Sequence, residues 1–292
     1  MIASLLFVAS LLLATANGAG VEFSYNDQAA WPDVCVTGNN GRQSPINIEK
    51  GNVRENSDLI PLEFNAGWTT SISGTFSNTG HNVQFDPSPG SAAVTTRTHL
   101  GTYQVAQMHM HWGRNNNEGS EHTVDGKSYS LELHFVHTKQ GETNSSAGDY
   151  YGVVGVFAEA AADMEISGVW SQLNASAVQS YPTSIDVTDF MYASLLPTSR
   201  GYLYYLGSLT TPTCDETVQW FVMKETIRVP SAYLTYLRQV ESANENETLT
   251  FNFRDVQTLG RRTVYEIGNG APKIVASTLF MLLTSIITMH FL

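Results

Sequence analysis

Residues 107–137 constrain the fold of this chain more than any other stretch, because residues that bind metals alternate there with apolar ones. The stretch reads QMHMHWGRNNNEGSEHTVDGKSYSLELHFVH and holds five of the chain's eight histidines. In a β-strand, residues two positions apart face the same side of the sheet. The alternation at both ends of the stretch therefore predicts two strands, each with one polar face and one apolar face.

The polar faces of these two strands carry the side chains of a metal site. His109 and His111 share a face with Gln107, and on the second strand His134 shares a face with Glu132. Side by side, the strands would place three imidazoles around one point, with the amide and the carboxylate near enough to orient them. Three neutral histidines with such support and a free fourth position describe a catalytic zinc site.

Short β-prone runs between turn-forming residues recur along the chain and predict its fold class. The predicted strands are 69–78, 82–86, 103–111, 130–137, 151–159, 202–206, 217–224 and 249–254. Helical patterns are few and short, with 164–174 and 231–240 as the best candidates. Neither an internal repeat nor a linker-like tract divides residues 21–265. We therefore expect a single, sheet-centred domain that is mainly β with short helices.

The charge balance excludes nucleic acid as a partner. The 292 residues carry a formal net charge of −12 at pH 7, so little on the chain would attract phosphate. Charged residues make up 14% of the chain, against roughly 25% in ordinary soluble domains. Two uncharged, apolar ends account for part of this difference.

The N-terminal end predicts a secretory signal peptide over residues 1–18. An apolar run over 5–13 is followed by small residues, and the first twenty residues contain no acidic side chain. No lysine or arginine precedes the run, which is unusual for a signal peptide. The alternative is a buried first helix.

The C-terminal end predicts a hydrophobic anchor signal over residues 269–292. Residues 274–292 are mostly apolar and uncharged, and small residues precede them. This pattern favours a GPI-attachment signal. A membrane-spanning tail and a plain C-terminal helix are the alternatives. The first two interpretations place the chain at the extracellular face of the plasma membrane, and without an anchor it would be secreted.

The cysteines and the glycosylation sequons agree with an extracellular location. Cys35 and Cys214 are the two cysteines of the chain, and in an oxidising compartment one disulfide is the economical interpretation. Asn144, Asn174 and Asn246 each begin an N-x-S/T sequon without proline. We expect one or two of the three to carry a glycan.

Eight sequence blocks in a fixed order carry a resemblance to a known family. They are GNNGRQSPINI, NTGH, QMHMHWG, GSEHTVDG, LELHFVH, YLGSLTTPTC, VQWFVMKE and NFRDVQTLGRR. Over residues 23–262 the chain resembles the α-class carbonic anhydrases, and its cysteines and ends resemble their secreted, membrane-anchored (GPI-type) branch. The resemblance implies a catalytic domain over 21–265, built around a large, central, twisted and mostly antiparallel sheet. It also implies reversible hydration of CO2 to bicarbonate and a proton.

The resemblance assigns the reacting centre to particular positions. His109, His111 and His134 would bind Zn2+, which is the set that strand geometry selects above. A zinc-bound hydroxide would donate its hydrogen bond to Thr210, and Thr210 would donate its own proton to Glu121. A hydroxyl that donates to a carboxylate can only accept from its other neighbour, so it would aim the hydroxide.

Further positions follow from the same resemblance. His81 would shuttle protons to bulk solvent and Tyr25 would belong to a solvent network. Gln107, Glu132 and the Asn252 backbone would orient the ligands, whereas His122 and His137 would be structural. CO2 and bicarbonate would contact Thr210, Thr211, Val136, Val153, Leu209, Val218 and Trp220. Beyond CO2 and bicarbonate, the expected partners are a membrane, through the C-terminal anchor, and bicarbonate transporters.

Two alternatives come from other functional classes. One is a catalytically silent, carbonic-anhydrase-like binding module, and the other is a matrix protein whose acidic surface binds calcium. Silent members of the family lose one or more ligand histidines, whereas this chain keeps all three. No acidic repeat favours the matrix protein.

Overall fold

The computed structural model describes residues 22–35, 41–244 and 246–267. The predicted signal peptide over 1–18 and anchor signal over 269–292 lie outside these residues. The strands are β1 Asn47–Ile48, β2 Arg54–Asn56, β3 Glu63–Phe64, β4 Ile72–Asn78, β5 Val83–Pro87, β6 Thr95–Thr98, β7 Gly101–Trp112, β8 Thr123–Val124, β9 Leu131–Lys139, β10 Tyr151–Ala161, β11 Ser184–Phe190, β12 Tyr202–Gly207, β13 Val218–Met223, β14 Ile227–Pro230 and β15 Tyr265–Ile267.

Helices are few and short in the described ranges. The α-helices are α1 Val169–Gln172 and α2 Ser231–Leu237. The 3-10 helices are Tyr25–Asp33, Lys50–Asn52, Ala66–Thr69, Ala175–Ala177 and Tyr192–Leu195. None of the helices within 22–35, 41–244 and 246–267 has the length and apolarity needed to cross a bilayer.

Thirteen of the described strands form one mixed, mostly antiparallel sheet. Its main path runs β11-β4-β5-β7-β9-β10-β13-β12-β15-β2. Three strands lie off this path: β14 pairs with β10, and β6 pairs with both β3 and β7. The parallel pairs are β10 with β13, β10 with β14, and β15 with β2. A mainly β, single-domain fold around a large sheet, as predicted from the sequence, is confirmed.

The apolar faces of β7 and β9 form the centre of the core. Leu131, Leu133 and Phe135 of β9 are fully buried, and so are Met108 and Met110 of the neighbouring β7. Burying a side chain of this size contributes about 1.5–3 kcal/mol to folding. This packing holds the pair rigid, so its other face presents the polar side chains in fixed positions.

Seven of the eight predicted strands are present, with ends displaced by at most three residues. The strand predicted over 249–254 is wrong, since the described chain there forms no ladder. The Asn252 side chain takes the place of a ladder. Its Oδ1 accepts from the Trp112 backbone N–H at 2.7 Å, and its Nδ2 donates to the Met110 carbonyl at 2.9 Å. The Asn252 N–H also donates to the Trp112 carbonyl at 3.1 Å, and Trp112 Nε1 donates to the Leu249 carbonyl at 2.8 Å, so several hydrogen bonds tie this segment to the end of β7.

The two predicted helices are shorter in the structure. The helix predicted over 164–174 is the single turn α1, because Gly168 precedes it with φ 55°, a left-handed conformation that no helix continues through. The helix predicted over 231–240 begins where expected and ends at Leu237. The chain then turns, with the Val240 N–H donating to the Leu237 carbonyl at 3.1 Å.

A disulfide joins Cys35 to Cys214, as predicted. The two Cα atoms lie 4.9 Å apart, and both residues are buried. The bond ties the N-terminal segment to the loop between β12 and β13, 179 residues away in sequence. That loop carries Thr210 and Thr211, so the disulfide anchors a segment that matters to the site described next.

Candidate metal centre

The pairing of β7 with β9 brings the three predicted metal ligands together. In this antiparallel pair His109 lies opposite His134, and His111 lies opposite Glu132. One side-chain nitrogen from each of the three histidines lies within 4.8 Å of the other two. The three histidines therefore lie on the strand faces predicted from the alternation, and their imidazoles form a compact group.

The nitrogen of each imidazole that faces away from this group is hydrogen-bonded to an oxygen. The pairs are His109 Nδ1 with Gln107 Oε1 at 2.9 Å, His111 Nδ1 with the Asn252 carbonyl at 2.7 Å, and His134 Nε2 with Glu132 Oε1 at 2.8 Å. A carbonyl or carboxylate oxygen only accepts, so each of these nitrogens must carry the proton. The lone pair is then left on the nitrogen that faces the other imidazoles, as a metal ligand requires.

An unpartnered buried atom indicates that this group suits a metal. Nε2 of His111 is fully buried and has no hydrogen-bond partner among the residues that the structure describes. An unpaired buried polar atom costs stability unless something binds it. Three imidazoles with inward lone pairs match the ligand set of a catalytic zinc site. The residues present therefore fit Zn2+.

Two of the three histidines, His109 and His111, are held neutral, which is the form that binds metal. Burial, with further contributions from the neighbouring imidazoles, lowers the pKa of His109 well below its ordinary value. The same two causes lower the pKa of His111 to about 3, although its hydrogen bond to the Asn252 carbonyl opposes them. Neither ring needs to lose a proton at pH 7 before it binds a cation.

Glu132 is a fully buried carboxylate in which both oxygens are used. Its Oε2 accepts from the backbone N–H groups of Glu121 and His122, each at 2.9 Å. Its Oε1 accepts from His134 and from His122 Nδ1, the latter at 2.7 Å. Burial alone would raise the pKa of Glu132, but His122 and His134 outweigh burial and lower it well below its ordinary value. Glu132 is thus an ionised orienting group for His134.

A second group of possible metal ligands, His122, Glu132 and His134, is explained without a metal. Its atoms also lie within 4.8 Å of one another. They are, however, occupied by the imidazole–carboxylate hydrogen bonds just described. The first group, whose inward nitrogens face one another, is therefore the candidate for a metal.

Glu121 differs from Glu132 in the direction in which its pKa is shifted. It is also buried, and burial raises its pKa to about 7, against smaller lowering contributions led by His134 and followed by Thr210. Oε1 accepts from the Arg254 backbone N–H at 2.9 Å. Oε2 has no hydrogen-bond partner in the described part of the chain. Glu121 therefore keeps an acceptor free next to the imidazoles of the candidate metal centre and near Thr210.

The apolar residues predicted to contact substrate come together beside His134. Val153 on β10 lies opposite Val136 on one side and Trp220 on the other. The Trp220 ring centroid is 4.8 Å from that of His134. The buried cluster contains Val136, Val153, Val218 and Trp220, and Leu209 packs against it. Thr210 is buried at the edge of this wall and Thr211 is half-buried.

His81 lies in the turn between β4 and β5 and is half-buried. Its carbonyl accepts from Asn252 Nδ2 at 3.3 Å, and the carbonyl of the same asparagine accepts from His111. The turn is therefore tied to the metal centre through Asn252. Burial lowers the pKa of His81, and the Glu247 carboxylate acts in the opposite direction.

Tyr25 is more deeply buried than a residue of a solvent network would be. Its side chain is 4% exposed, and its hydroxyl has no hydrogen-bond partner among the described residues. Burial, and after it the Glu121 carboxylate, raise the pKa of Tyr25 well above its ordinary value. The phenol is therefore protonated at neutral pH, and its link to solvent stays a prediction.

His122 and His137, predicted to be structural, are both hydrogen-bonded inside the protein. His137 Nδ1 donates to the Phe135 carbonyl at 2.7 Å. His122 Nε2 lies 2.6 Å from the Tyr205 hydroxyl, which in turn lies 2.8 Å from Ser44 Oγ. In a neutral His122 whose Nδ1 donates to Glu132, Nε2 accepts from Tyr205.

Tyr205 and Ser44 were missed as part of the site in the sequence analysis. The Ser44 hydroxyl accepts from the backbone N–H of Ser208 at 3.0 Å, so the chain of hydrogen bonds reaches the loop that carries Thr210. In a single sequence a buried tyrosine looks like ordinary core. One sequence feature could have identified them: Ser44 lies in GNNGRQSPINI and Tyr205 begins YLGSLTTPTC, two of the sequence blocks that carry the family resemblance.

Comparison with known proteins agrees with this geometry. The family model for eukaryotic-type carbonic anhydrase matches residues 26–268. Mouse carbonic anhydrase 1 is 33% identical over 252 residues, which cover 82% of this chain and 95% of that protein. Mouse and human carbonic anhydrase 7 are 35% and 36% identical over 245 residues, which cover 80% of this chain and 91% of each relative. The chain belongs to the eukaryotic-type carbonic anhydrase family.

Proposed function

We propose that this protein is a zinc-dependent enzyme that reversibly hydrates CO2 to bicarbonate and a proton. The observation that carries the proposal is the group of three imidazoles, each fixed by an outer hydrogen bond so that its lone pair points inward. When bound there, Zn2+ would activate water as the nucleophile, which is the chemistry of this family.

The residues around the imidazoles would orient the reacting groups. Glu121 keeps one oxygen free, and donation from Thr210 to that oxygen would leave the hydroxyl of Thr210 able only to accept. A nucleophile that donates to Thr210 would then turn a lone pair toward the substrate. The apolar wall formed by Val136, Val153 and Trp220 suits a small apolar molecule such as CO2 and disfavours bulky esters.

Stopped-flow CO2 hydration by the purified, zinc-loaded protein tests the proposal. We expect turnover that a zinc chelator abolishes and that added Zn2+ restores. A zinc-loaded protein that hydrates no CO2 would instead leave the silent binding module as the function. Calcium binding by such an inactive protein would favour the matrix protein.

His81→Ala is expected to slow turnover in dilute buffer about tenfold or more, because a half-buried histidine near neutrality can carry the released proton to solvent. Small imidazole buffers should restore the rate by carrying the proton themselves. The value of kcat/KM should stay that of wild type, since CO2 conversion does not involve His81. A rate that imidazole does not restore would contradict the shuttle role.

We further propose that the protein is held at the extracellular face of the plasma membrane by a GPI anchor. The disulfide suits an oxidising compartment, and Asn144, Asn174 and Asn246 are all exposed, as glycan acceptors must be. A bicarbonate transporter in the same membrane would be a suitable partner, since it would carry the product away.

Phosphatidylinositol-specific phospholipase is expected to release the protein from the surface of expressing cells. The enzyme cuts the lipid and leaves a spanning helix intact, so the two anchor types give opposite results. Released protein is measured by immunoblotting of the medium, beside mock-treated cells as the control. Protein that stays with the cells after digestion would indicate a membrane-spanning tail.

A further inference from the structure

We propose that Glu247 is a positioning residue for proton transfer through His81, because it fixes the N-terminal segment whose Phe23 ring stacks on the His81 imidazole. This inference rests on the proposed function and adds a residue that acts on the shuttle without contacting the metal ligands.

The imidazole of His81 lies against an aromatic ring. The centroids of His81 and Phe23 are 4.1 Å apart, and the ring planes are inclined by 16°. Phe23 in turn makes edge contacts with Tyr25 at 5.6 Å and Trp31 at 5.1 Å, and both of these rings are buried. The orientation of the His81 ring therefore depends on where the N-terminal segment places Phe23.

Glu247 fastens that segment with both of its carboxylate oxygens. Oε1 accepts from the Ser24 hydroxyl at 2.9 Å and from the Asn26 side-chain amide. Oε2 accepts from Asn244 Nδ2 at 2.7 Å, and the same amide nitrogen donates to the Phe23 carbonyl at 3.4 Å. Glu247 thus holds Ser24 and Asn26 directly and Phe23 through Asn244. Hydrogen bonds to an ionised acceptor are the stronger kind.

The turn that carries Glu247 also holds the turn that carries His81. The Ala243 N–H donates to the Gly80 carbonyl at 2.9 Å. Gly80 has φ +85°, and a Cβ there would lie 2.5 Å from the Ala243 Cβ, so only glycine permits this approach. The turn around Glu247 therefore connects both partners of the aromatic stack, and a change at Glu247 should displace one relative to the other.

The negative charge of Glu247 favours proton transfer through His81, as does its positioning of Phe23. Burial lowers the pKa of His81, and the Glu247 carboxylate is the group that raises it. A residue that accepts and releases a proton works best when its pKa lies near the working pH. The same carboxylate therefore sets the ring's orientation and keeps the ring able to accept a proton.

Stopped-flow CO2 hydration of variants separates positioning from a merely structural role. The ratio kcat/KM covers the steps through CO2 conversion, whereas kcat also includes proton removal. In dilute buffer Glu247→Ala should lower kcat about three- to tenfold with kcat/KM unchanged, and a small imidazole buffer should restore kcat. Phe23→Leu should do the same, and Glu247→Gln should lose less because its amide oxygen still accepts. Asp33→Asn is the matched control and should behave as wild type. It changes an exposed carboxylate that lines the same surface cavity as Phe23 and Glu247.

A second measurement tests the stack without using activity. Stacking on Phe23 should shift the His81 ring protons upfield in the NMR spectrum of the wild type, and Glu247→Ala should reduce that shift. Unchanged kcat in dilute buffer, or equal losses in kcat and kcat/KM, would overturn the inference. Should Glu247→Ala fail to fold, Glu247→Gln decides the role of Glu247 by the same criteria, and Phe23→Leu tests the stack. A wild type without CO2 hydration would refute the proposed function. An unaltered chemical shift of the His81 ring protons in Glu247→Ala would separately refute the positioning role of Glu247.

Discussion

His109→Ala is expected to abolish zinc binding and CO2 hydration together. The remaining pair, His111 and His134, would leave the metal with two protein ligands, whereas catalytic zinc sites use three. Metal content after dialysis against a zinc buffer and stopped-flow CO2 hydration measure the two losses on the same sample. His109 is the best ligand to replace because it is only partly buried, so its removal leaves a position that water can enter.

The control for this experiment is another histidine outside the metal centre. His99 follows β6 and packs edge-on against Tyr204 at 4.8 Å between ring centroids. His99→Gln should bind one equivalent of zinc and turn over CO2 like the wild type. A His109→Ala protein that retains both zinc and activity would show that the assignment of the ligands is wrong.

The grouping of the three histidines could be predicted from sequence because their arrangement follows from local geometry. A period of two puts His109 and His111 on the same face of a strand whatever the rest of the chain does. The apolar residues between them must then face the core, so the direction of the polar face is fixed as well. Only the pairing of β7 with β9 had to be assumed, and the structure has it in the register that sets His109 opposite His134.

The contacts that complete the site could not be read from the sequence. Asn252 binds the end of β7 through its side chain, from a position 140 residues away. The Arg254 N–H reaches Glu121 over 133 residues, and Glu247 reaches Ser24 over 223. Such contacts leave no periodicity in either segment, because each depends on one side chain and on the folded path between the two. The strand predicted over 249–254 is wrong for the same reason, because side-chain hydrogen bonds of Asn252 to the end of β7 hold that segment without a ladder.

The roles of His122 and Glu132 also depend on partners that the sequence leaves open. Near a metal site, a histidine beside a glutamate in GSEHTVDG could equally be a ligand or a structural residue. The structure distinguishes these roles by the hydrogen bond from His122 to Glu132 at 2.7 Å, with Tyr205 on the other nitrogen. Both ring nitrogens are occupied, so His122 has none left for a metal.

Glu132→Gln is expected to weaken zinc binding about 10–100-fold through His134. In the wild type, the carboxylate accepts from His134 Nε2 at 2.8 Å and so leaves the lone pair on Nδ1, which faces the other two imidazoles. A glutamine must place its NH2 either against the N–H groups of Glu121 and His122 or against the two imidazoles. In the second orientation the amide donates to His134 Nε2, and the proton of that ring moves to Nδ1, where the metal would bind. Zinc affinity is measured by competition with a chromophoric chelator.

The same substitution should lower the free energy of unfolding by about 3 kcal/mol, because the first orientation sets buried donors against each other and the second forces the imidazoles out of their native tautomers. Since the folded-state pKa of Glu132 lies below its ordinary value of 4.5, ionised Glu132 stabilises the protein above pH 4.5. That contribution is lost as the pH falls through the folded-state pKa, so the difference between wild type and Glu132→Gln should shrink in acid. Urea unfolding at several pH values measures both effects. Glu159→Gln, in an exposed pair with Lys127 at 2.6 Å, should cost less than about 1 kcal/mol, and equal costs for the two variants would contradict the buried role of Glu132.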